Sequence, residues 1–396
     1  MAAKVQGTCD SRFKKVEELF QSYLDSGEEL GASFTVNLDG QEVVDLWGGH
    51  ADASRTRAWE RDTITTVWST TKCITALAVL VLIDRGLVSP DDPVAKHWPE
   101  FGANGKQHVQ VRHLLSHTSG VSGWDARLSF DDVCDLPRAT ALLAAQAPWW
   151  EPGNGQSGYH AFTYGHLNGE LVRRVTGKSL RAFIAEDLVH APATPGDGDF
   201  QLGCADEALW PRIAETVPPP AMDATVKPPA GVESIAAKTM RSPPPDATAA
   251  NTAAWRRAEL GGANGIGNAR GVARLLSAVA LAGRPSSSQA LLSRETVELV
   301  FEEQARGVDL VTGAPMRIGI GLGLAGKDTI ANWLPDEGDE SRLCFWGGWG
   351  GSAGIMDVKR GLTIAYVMNK MENVGFGNDR TKGLVSAVYE ALGVEI

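Results

Sequence analysis

Residues 68–86 read WSTTKCITALAVLVLIDRG and predict a helix that is apolar on almost every side. A helix with this pattern is normally buried in the core of a large domain. Its longest apolar run, from Ala76 to Ile83, stops at Asp84 and is far shorter than the roughly 20 residues that cross a membrane. We therefore expect this helix to lie at the centre of the fold, with the rest of the chain built around it.

The same segment begins with an S-x-x-K pattern, from Ser69 to Lys72. A serine hydroxyl is a weak nucleophile until a base takes its proton. One helical turn places the lysine amine beside the serine oxygen, and partial desolvation favours the neutral amine that can act as that base. Free N–H groups at the helix N-terminus also favour an oxyanion. The pattern points to Ser69 as a nucleophile, and a solvated first-turn cation is the alternative interpretation of Lys72.

Two other patterns compete with Ser69. A second S-x-x-K, from Ser11 to Lys14, looks like an N-cap on a surface helix. A G-x-S-x-G from Gly350 to Gly354 is the nucleophile-elbow pattern of α/β-hydrolases. It fails because predicted strands follow Ser352 and all eight histidines precede it. We expect Ser352 to lie in a glycine-rich strand that lets a backbone approach a ligand closely.

Composition indicates an ordinary folded protein. Of its 396 residues, 43% are hydrophobic and 21% charged, which excludes a disordered chain. Lys+Arg minus Asp+Glu is 37 − 48 = −11, so no basic surplus exists to bind nucleic acid. The five cysteines are widely spaced without a C-x-x-C, and the first residues lack the apolar core of a signal peptide. We expect a cytoplasmic protein with no disulfide framework, no metal site and no membrane segment.

Hydrophobic periodicity divides the chain into strand-rich ends and a helical middle. The ends predict a helix over Ser11–Asp25, a hairpin over 32–49, strands at Leu343–Phe345, Ala353–Val358 and Leu362–Met368, and helices over Ala269–Ala282 and Leu384–Leu392. The middle predicts helices near 110–117, 138–146 and 163–176. We expect one α/β (α+β) unit over 1–396. About 1–92 and 250–396 would form an α/β subdomain, and about 93–249 a mainly helical insertion subdomain.

Residues 217–245 hold eight of the twenty prolines. A disordered linker is one interpretation of such a segment. We favour an ordered excursion that walls a pocket, because the segment lies between patterned regions and contains Val232, Ile235 and Met240.

Two further patterns receive structural interpretations. His113 and His117 are one helical turn apart, but no glutamate follows the first, so we expect two hydrogen-bonded structural histidines. The glycine-rich run from Gly261 to Gly267 lacks the preceding strand of a nucleotide-binding loop, and we expect a tight loop near the pocket.

Tyr159 is one of only five tyrosines and precedes an amphipathic helix. If it lay opposite Ser69, it could shuttle a proton provided that Lys72 lowered its pKa. From the residues alone, a tyrosine that simply packs in a loop remains the simpler interpretation.

Together these segments resemble the serine β-lactamase and penicillin-binding-protein superfamily, and most closely its class C-like branch, the family VIII carboxylesterases. Four markers carry the resemblance in order: VWSTTK at 67–72, HLLSHTSG at 113–120, Pro152-Gly153 followed by YHA at 159–161, and WGGW at 346–349. The resemblance covers nearly the whole chain. It implies a β-lactamase/transpeptidase-like fold, with an antiparallel sheet flanked by helices and a helical insertion.

The resemblance also implies roles for residues of this sequence. Ser69 would be the acylated nucleophile, Lys72 would keep it correctly protonated, and Tyr159 would be the general base and then the general acid. The backbone N–H groups of Ser69 and Trp349 would form the oxyanion hole. Substrate contacts would come from Trp346, Gly347, Gly348, Trp68 and His160. No cofactor is implied.

Two departures from the family pattern bear on the substrate. Trp346-Gly347 replaces the Lys-Thr pair that helps β-lactam enzymes to hold the substrate carboxylate, and Ala161 replaces an asparagine that grips an acyl side chain. Both changes point to a less charged, more apolar acyl group. We therefore predict a serine hydrolase of small carboxylic esters.

Several alternatives remain open at this point. An acyltransferase or lactonase of secondary metabolism would use the same acyl-enzyme. A β-lactamase or D-Ala-D-Ala peptidase fits the departures less well. A non-enzymatic binding protein on the same fold fits least, because Ser69, Lys72 and Tyr159 are all present.

Overall fold

An antiparallel sheet joins the two ends of the chain. The computed structural model describes residues 4–194, 198–220, 233–284 and 290–395. Its strands are β1 (Gln6–Cys9), β2 (Gly31–Leu38), β3 (Gln41–Gly49), β4 (Thr65–Thr66), β5 (Phe200–Leu202), β6 (Gly265–Gly267), β7 (Ala305–Val308), β8 (Pro315–Ile318), β9 (Gly323–Leu324), β10 (Leu343–Gly347), β11 (Ala353–Asp357) and β12 (Leu362–Met368). Among the described residues, nine strands form one sheet in the order β1-β3-β2-β12-β11-β10-β9-β8-β7, and a small sheet has the order β4-β6-β5. The predicted antiparallel sheet is confirmed.

Helices occupy the chain between these strands. The α-helices in the described ranges are α1 (Lys14–Ser26), α2 (Thr71–Asp84), α3 (Val111–Leu115), α4 (Phe130–Cys134), α5 (Leu136–Ala145), α6 (Thr163–Thr176), α7 (Leu180–Phe183), α8 (Ile235–Met240), α9 (Ala253–Arg257), α10 (Ala269–Ala280), α11 (Arg294–Val300) and α12 (Asp379–Ala391). Short 3-10 helices cover Ser11–Phe13, Trp68–Thr70, Val94–Lys96, Pro99–Gly102, Glu207–Arg212, Ala247–Asn251 and Gly338–Glu340, and a π-helical segment covers Ile184–Val189. The three helices predicted for the middle of the chain correspond to α3, α5 and α6.

Helices cover both faces of the large sheet. On one face α10 lies across β2, β11 and β12, and small strand residues permit the close approach, since a Cβ on Gly354 would lie 2.5 Å from Leu276. On the other face, Tyr389 of α12 donates a hydrogen bond to Asp357 Oδ2 at 3.4 Å, and α1 packs beside α12. Strands β10, β11 and β12 are buried along their whole lengths, so the sheet forms the core of the fold.

Helix α2 is the buried helix that the sequence predicts. Every residue from Thr71 to Leu82 is buried, and the helix packs between α6 and α10. Burying a leucine, isoleucine or valine side chain contributes about 1.5–3 kcal/mol relative to leaving it exposed, so the apolar run holds α2 firmly in place. Lys72, in the first turn of this helix, is thereby carried into the interior.

One predicted helix start and one predicted N-cap are wrong. Helix α12 begins at Asp379 and not at Leu384, because the side chain of Asn378 caps it by accepting a hydrogen bond from the third helical N–H at 2.9 Å. At the other end of the chain, Asp10 and not Ser11 caps the first helical turn.

The proline-rich segment is only partly described, since residues 221–232 lie outside the described ranges. Residues 233–245 contain α8, and Thr239 Oγ1 lies 2.7 Å from Ser122 Oγ. This contact agrees with the prediction that the segment is an ordered excursion. That the segment walls a pocket stays a prediction. The division into subdomains near residues 92 and 250 also stays a prediction. Across the described ranges, no helix is long and apolar enough to cross a membrane.

Candidate active site

Ser69 lies in a tight turn just before α2. The turn is the 3-10 helix Trp68–Thr70, and Trp68 has a left-handed backbone with a φ of 49°. A non-glycine residue held in this region costs on the order of 1–3 kcal/mol, so surrounding contacts must hold the turn. Ser352 supplies two of them: its Oγ donates to the Val67 carbonyl at 2.8 Å and lies 3.0 Å from Thr70 Oγ1.

Ser352 is therefore a structural residue. Its side chain has no exposed surface, and it directly precedes β11 instead of lying within a strand. The predicted place within a strand is wrong, and its Oγ contacts the turn that carries Ser69. That the glycine-rich segment lets a backbone approach a ligand stays a prediction. A serine without exposed surface also cannot reach a substrate, which removes the G-x-S-x-G pattern as a rival nucleophile.

Three polar groups from distant parts of the chain meet at this turn. Ser69 Oγ lies 2.5 Å from Tyr159 Oη and 3.1 Å from Lys72 Nζ, and Lys72 Nζ lies 2.9 Å from Tyr159 Oη. Ser69 and Tyr159 are both half-buried, whereas Lys72 is 1% exposed. The oxygen of the serine is thus within proton-transfer distance of two groups that can accept its proton.

The surroundings of Lys72 favour a neutral amine. Burial lowers the pKa of Lys72 well below its ordinary value. Its Nζ donates to two carbonyls, those of Ala161 at 2.9 Å and Gly262 at 2.6 Å. A carbonyl can only accept, so these two bonds use both N–H groups of a neutral amine. The lone pair is then left to accept from the hydroxyl group of Tyr159, whose oxygen can in turn accept from Ser69.

The carbonyl of Gly262 belongs to the glycine-rich run predicted as a loop. The run does lie beside the site: besides Gly262, its Gly265 N–H donates to Thr71 Oγ1 at 2.8 Å in the first turn of α2. Its end differs from the prediction, because residues 265–267 form strand β6. A Cβ on Gly165 would lie 2.3 Å from Gly262 N, so α6 packs directly against this loop.

The pKa of Tyr159 is raised above its ordinary value, chiefly by burial. The charge of Asp309 raises this pKa further, while the hydrogen bond with Ser69 lowers it. The condition set above for Tyr159, a pKa lowered by Lys72, is not met, because burial raises the pKa instead. The phenol keeps its proton in the resting site and can relay a proton from the serine hydroxyl to the amine.

Two buried histidines hold the loop that carries Tyr159. His160 Nδ1 donates to the Gly158 carbonyl at 2.6 Å, and its Nε2 accepts from Ser119 Oγ at 2.7 Å. The backbone N–H of His160 donates to His117 Nδ1 at 3.0 Å. The structural role predicted for His117 is confirmed. The His160 ring, predicted to contact substrate, is wholly buried and supports the loop instead.

His113 also makes a structural contact. Its Nδ1 accepts a hydrogen bond from the N–H of Gln110, where α3 begins, at 3.1 Å. The prediction of two hydrogen-bonded histidines is therefore confirmed. In the ranges that the structure describes, no three His, Cys, Asp or Glu side chains are grouped so that they could hold a metal ion.

Sequence reasoning missed one residue at this site, Asp309. It directly follows β7 and is 1% exposed, and its Oδ1 accepts from the N–H of Tyr159 at 3.1 Å, across 150 residues of chain. Its Oδ2 accepts from Ser157 Oγ at 2.8 Å. The only signal in the sequence is the turn pattern DLVTG at 309–313, which predicts a tight turn and says nothing about its distant partner.

The end of β10 approaches the nucleophile turn closely enough to require glycine. A Cβ on Gly348, the residue after β10, would lie 2.5 Å from the Val67 carbonyl oxygen and 3.1 Å from Trp68 Cβ. The next residue, Trp349, packs its ring against Trp68 with the ring centroids 5.2 Å apart. Within the described part of the chain, the N–H groups of Ser69 and Trp349 donate to no protein acceptor. Both are therefore available to an oxyanion.

The predicted substrate-contact residues are mostly buried. Trp346 is 1% exposed and stacks on His117 and Tyr159, with ring centroids 5.1 and 6.1 Å away. It supports the back of the phenol and offers almost no surface of its own. Gly347 is also buried, and Trp68 is only 5% exposed.

Comparison with known proteins identifies the family. A family profile described as Beta-lactamase matches residues 16–388. The chain belongs to the beta-lactamase family. Among curated members, "Esterase/beta-lactamase LipL" of Mycobacterium tuberculosis is 33% identical over 376 residues, which cover 93% of this chain and 83% of LipL.

Solved structures of beta-lactamase-like proteins give the same result. A family VIII carboxylesterase matches with a TM-score of 0.88 and 38% identity, covering 98% of this chain and 100% of the other. A penicillin-binding-protein homologue from Caulobacter crescentus matches with a TM-score of 0.86 and 32% identity, with the same coverage. The predicted resemblance and the β-lactamase/transpeptidase-like fold are therefore confirmed.

Proposed function

We propose that this protein is a serine hydrolase that cleaves small carboxylic esters through an acyl-enzyme on Ser69. The observation that carries the proposal is the contact between Ser69 Oγ, Tyr159 Oη and Lys72 Nζ, with distances of 2.5–3.1 Å. The names of the relatives support it, since LipL is called an esterase/beta-lactamase and a similar structure is a family VIII carboxylesterase.

Acylation follows from the order of these three groups. Ser69 Oγ attacks the ester carbonyl carbon while its proton passes to Tyr159 Oη, and the phenol proton passes to the lone pair of Lys72. The negative charge that develops on the carbonyl oxygen is stabilised by the N–H groups of Ser69 and Trp349. When the carbon–oxygen bond to the alcohol breaks, Tyr159 gives a proton to the leaving oxygen and takes one back from Lys72, which restores the phenol and the neutral amine. The acyl group is left on Ser69.

Deacylation repeats these transfers with water as the nucleophile. Water loses a proton to Tyr159, attacks the acyl carbon, and Ser69 Oγ leaves with the proton that Tyr159 returns. The products are a carboxylic acid and the original enzyme. An alcohol in place of water would give acyl transfer, or a ring if it belonged to the acyl chain. These reactions differ from hydrolysis only in the nucleophile that reaches the acyl-enzyme.

The departures from the family pattern support an uncharged acyl group. Trp346 stands where β-lactam enzymes have lysine, and its buried indole provides no positive charge for a substrate carboxylate. At Ala161 the side chain is a methyl group, and the backbone carbonyl is occupied by Lys72 at 2.9 Å. A neutral acyl chain places no charge that these residues would leave unpaired. We expect simple esters to be better substrates than β-lactams or D-Ala-D-Ala peptides.

A cytoplasmic location is part of this proposal. It is supported by the five cysteines, all of which are free thiols, three of them buried. Cell fractionation tests it: activity that co-purifies with an exported compartment would contradict a cytoplasmic location.

A fluorophosphonate probe tests the proposed nucleophile. The probe forms a covalent bond to an activated serine, and peptide mass mapping then locates it. We expect labelling of the wild type at Ser69 and none in a Ser69→Ala variant that keeps the wild-type circular dichroism spectrum. Labelling at another serine, or no labelling of folded wild type, would contradict the assignment.

A further inference from the structure

We propose that Asp309 is a positioning residue of this active site. From the turn after β7, it fixes the backbone at Tyr159 and so holds the phenol oxygen within reach of Ser69 and Lys72. The inference rests on the proposed function, in which Tyr159 relays the serine proton, and adds a residue that neither the sequence motifs nor the family resemblance indicates.

The carboxylate joins two segments that are about 150 residues apart in the chain. Asp309 Oδ1 accepts from Tyr159 N at 3.1 Å, and Oδ2 accepts from Ser157 Oγ at 2.8 Å. The backbone N–H of Leu310 adds a third link by donating to the Ser157 carbonyl at 2.9 Å. Asp309 is 1% exposed, so water does not compete for these bonds.

The same carboxylate also fixes its own turn. Asp309 Oδ1 accepts from the N–H groups of Val311 and Thr312, both at 2.9 Å, and from Thr312 Oγ1 at 3.2 Å. This turn connects β7 to β8 at the edge of the large sheet. The Tyr159 loop is thereby connected to the edge of the sheet by the side chain of Asp309 and by the backbone bond of Leu310.

Tyr159 is consequently held at both ends. Its backbone is fixed by Asp309, and its ring is packed between His117, with ring centroids 5.4 Å apart, and Trp346. Proton relay requires a fixed Tyr159 side chain, because the phenol oxygen must stay within hydrogen-bond distance of Ser69 Oγ, which lies 2.5 Å away. A displacement of about 1 Å in a catalytic group can lower a rate by on the order of 10²-fold. The negative charge of Asp309 also raises the pKa of Tyr159, which helps the phenol to keep its proton in the resting site.

A double-mutant cycle tests the inference. Asp309→Ala, Tyr159→Phe and the double variant are compared with wild type in hydrolysis of p-nitrophenyl acetate and in the rate of fluorophosphonate labelling. We expect Asp309→Ala to lower kcat by roughly 10–100-fold with a smaller change in KM. In the Tyr159→Phe background the same substitution should change kcat less than about threefold, because Asp309 acts through Tyr159.

Two further variants separate positioning from general stability. Asp309→Asn keeps an oxygen for Tyr159 N and an NH₂ group that can donate to Ser157 Oγ, so it should restore most of the rate. Ser157→Ala removes one bond between the segments and leaves the turn intact, and it should show a smaller loss with the same dependence on Tyr159. Thr312→Val is the matched control, since it removes a bond to Asp309 only within the turn, and its rate should equal that of wild type.

The outcomes are distinguishable. An equal loss from Asp309→Ala in both backgrounds, or none in the wild type, would overturn the positioning role while leaving the hydrolase intact. If Asp309→Ala does not fold, the same double-mutant cycle is run with Ser157→Ala. An equal loss of kcat in the wild-type and Tyr159→Phe backgrounds would again overturn the positioning role. A Tyr159→Phe variant as fast as wild type would instead contradict the proposed function itself, and the inference with it.

Discussion

Two lysines of this protein are almost completely buried, yet their hydrogen-bond partners favour different protonation states. Lys72 is 1% exposed and faces two carbonyls and two hydroxyl groups. Lys106 is 0% exposed and faces three carbonyls, those of Ala103 and Ala144 at 3.0 Å each and that of Gln146. Burial lowers the pKa of both amines, that of Lys106 to about 8.

The number of obligate acceptors explains the difference. Three carbonyls use all three N–H groups of an ammonium, whereas a neutral amine has too few N–H groups to donate to all three. Lys106 therefore stays protonated at neutral pH and fastens its loop to the end of α5. Two carbonyls use the two N–H groups of a neutral amine, and the hydroxyl group of Tyr159 can donate to the remaining lone pair. A buried lysine that donates to three carbonyls is thus a structural ammonium, whereas one that donates to two carbonyls can act as a base.

The substitution Lys72→Met should have the largest effect, and it tests whether Lys72 acts as a base whereas Lys106 does not. Methionine has a similar length, but its thioether sulfur is not basic enough to receive the phenol proton, so ester hydrolysis should fall by about 10²–10⁴-fold. The measurement is kcat with p-nitrophenyl acetate. Lys106→Met is the matched control and should stay within a few-fold of wild type. Comparable loss of activity in the two variants would mean that the acceptors do not distinguish the lysines.

The Ser69–Lys72 pair was predictable because one helical turn is a local geometry that spacing alone determines. The same holds for the burial of α2, which follows from its apolar run, and for β11 and β12, which follow from continuous apolar segments around a turn. The acceptors of Lys106 were not predictable, because two of them come from residues 38 and 40 positions later in the chain. Asp309 was not predicted for the same reason, since only folding brings it close to Tyr159.

Some predictions were wrong because they relied on a local sequence pattern, whereas the role of the residue depends on contacts with distant parts of the chain. Ser352 carries a known nucleophile pattern, yet its role depends on the carbonyl of Val67 across the fold. The pKa of Tyr159 depends on burial, which a loop sequence does not reveal. The early start of α12 was missed because Gly383 suggested a boundary, whereas it lies inside the helix, where a Cβ would meet Tyr23 Oη at 2.3 Å.

The pH dependence of activity sharpens the comparison. Protonation of Lys72 removes the lone pair that receives the proton, so activity is lost as the pH falls through its pKa and is retained above it. Because burial lowers that pKa well below its ordinary value, kcat/KM should already be flat at mildly alkaline pH, where an ordinary lysine is still protonated. Below the pKa it should fall about tenfold per pH unit. A steady tenfold rise per unit up to pH 9 or above would show that the amine titrates near its ordinary value.

The smallest expected effect is on stability. Lys106→Met leaves buried carbonyls without a donor, and one unpaired buried group costs about 1–3 kcal/mol. We therefore expect the free energy of unfolding to fall by at least that amount in urea titrations. A variant as stable as wild type would show that the three carbonyls do not depend on the ammonium.

Neutron diffraction from deuterated crystals at neutral pH tests the central claim most directly, because it counts the deuterons on each nitrogen. We predict two deuterons on Lys72 Nζ, directed at the carbonyls of Ala161 and Gly262, a deuteron between Tyr159 Oη and Lys72 Nζ, and three on Lys106 Nζ. Three deuterons on Lys72 Nζ beside a Tyr159 oxygen that carries none would contradict it.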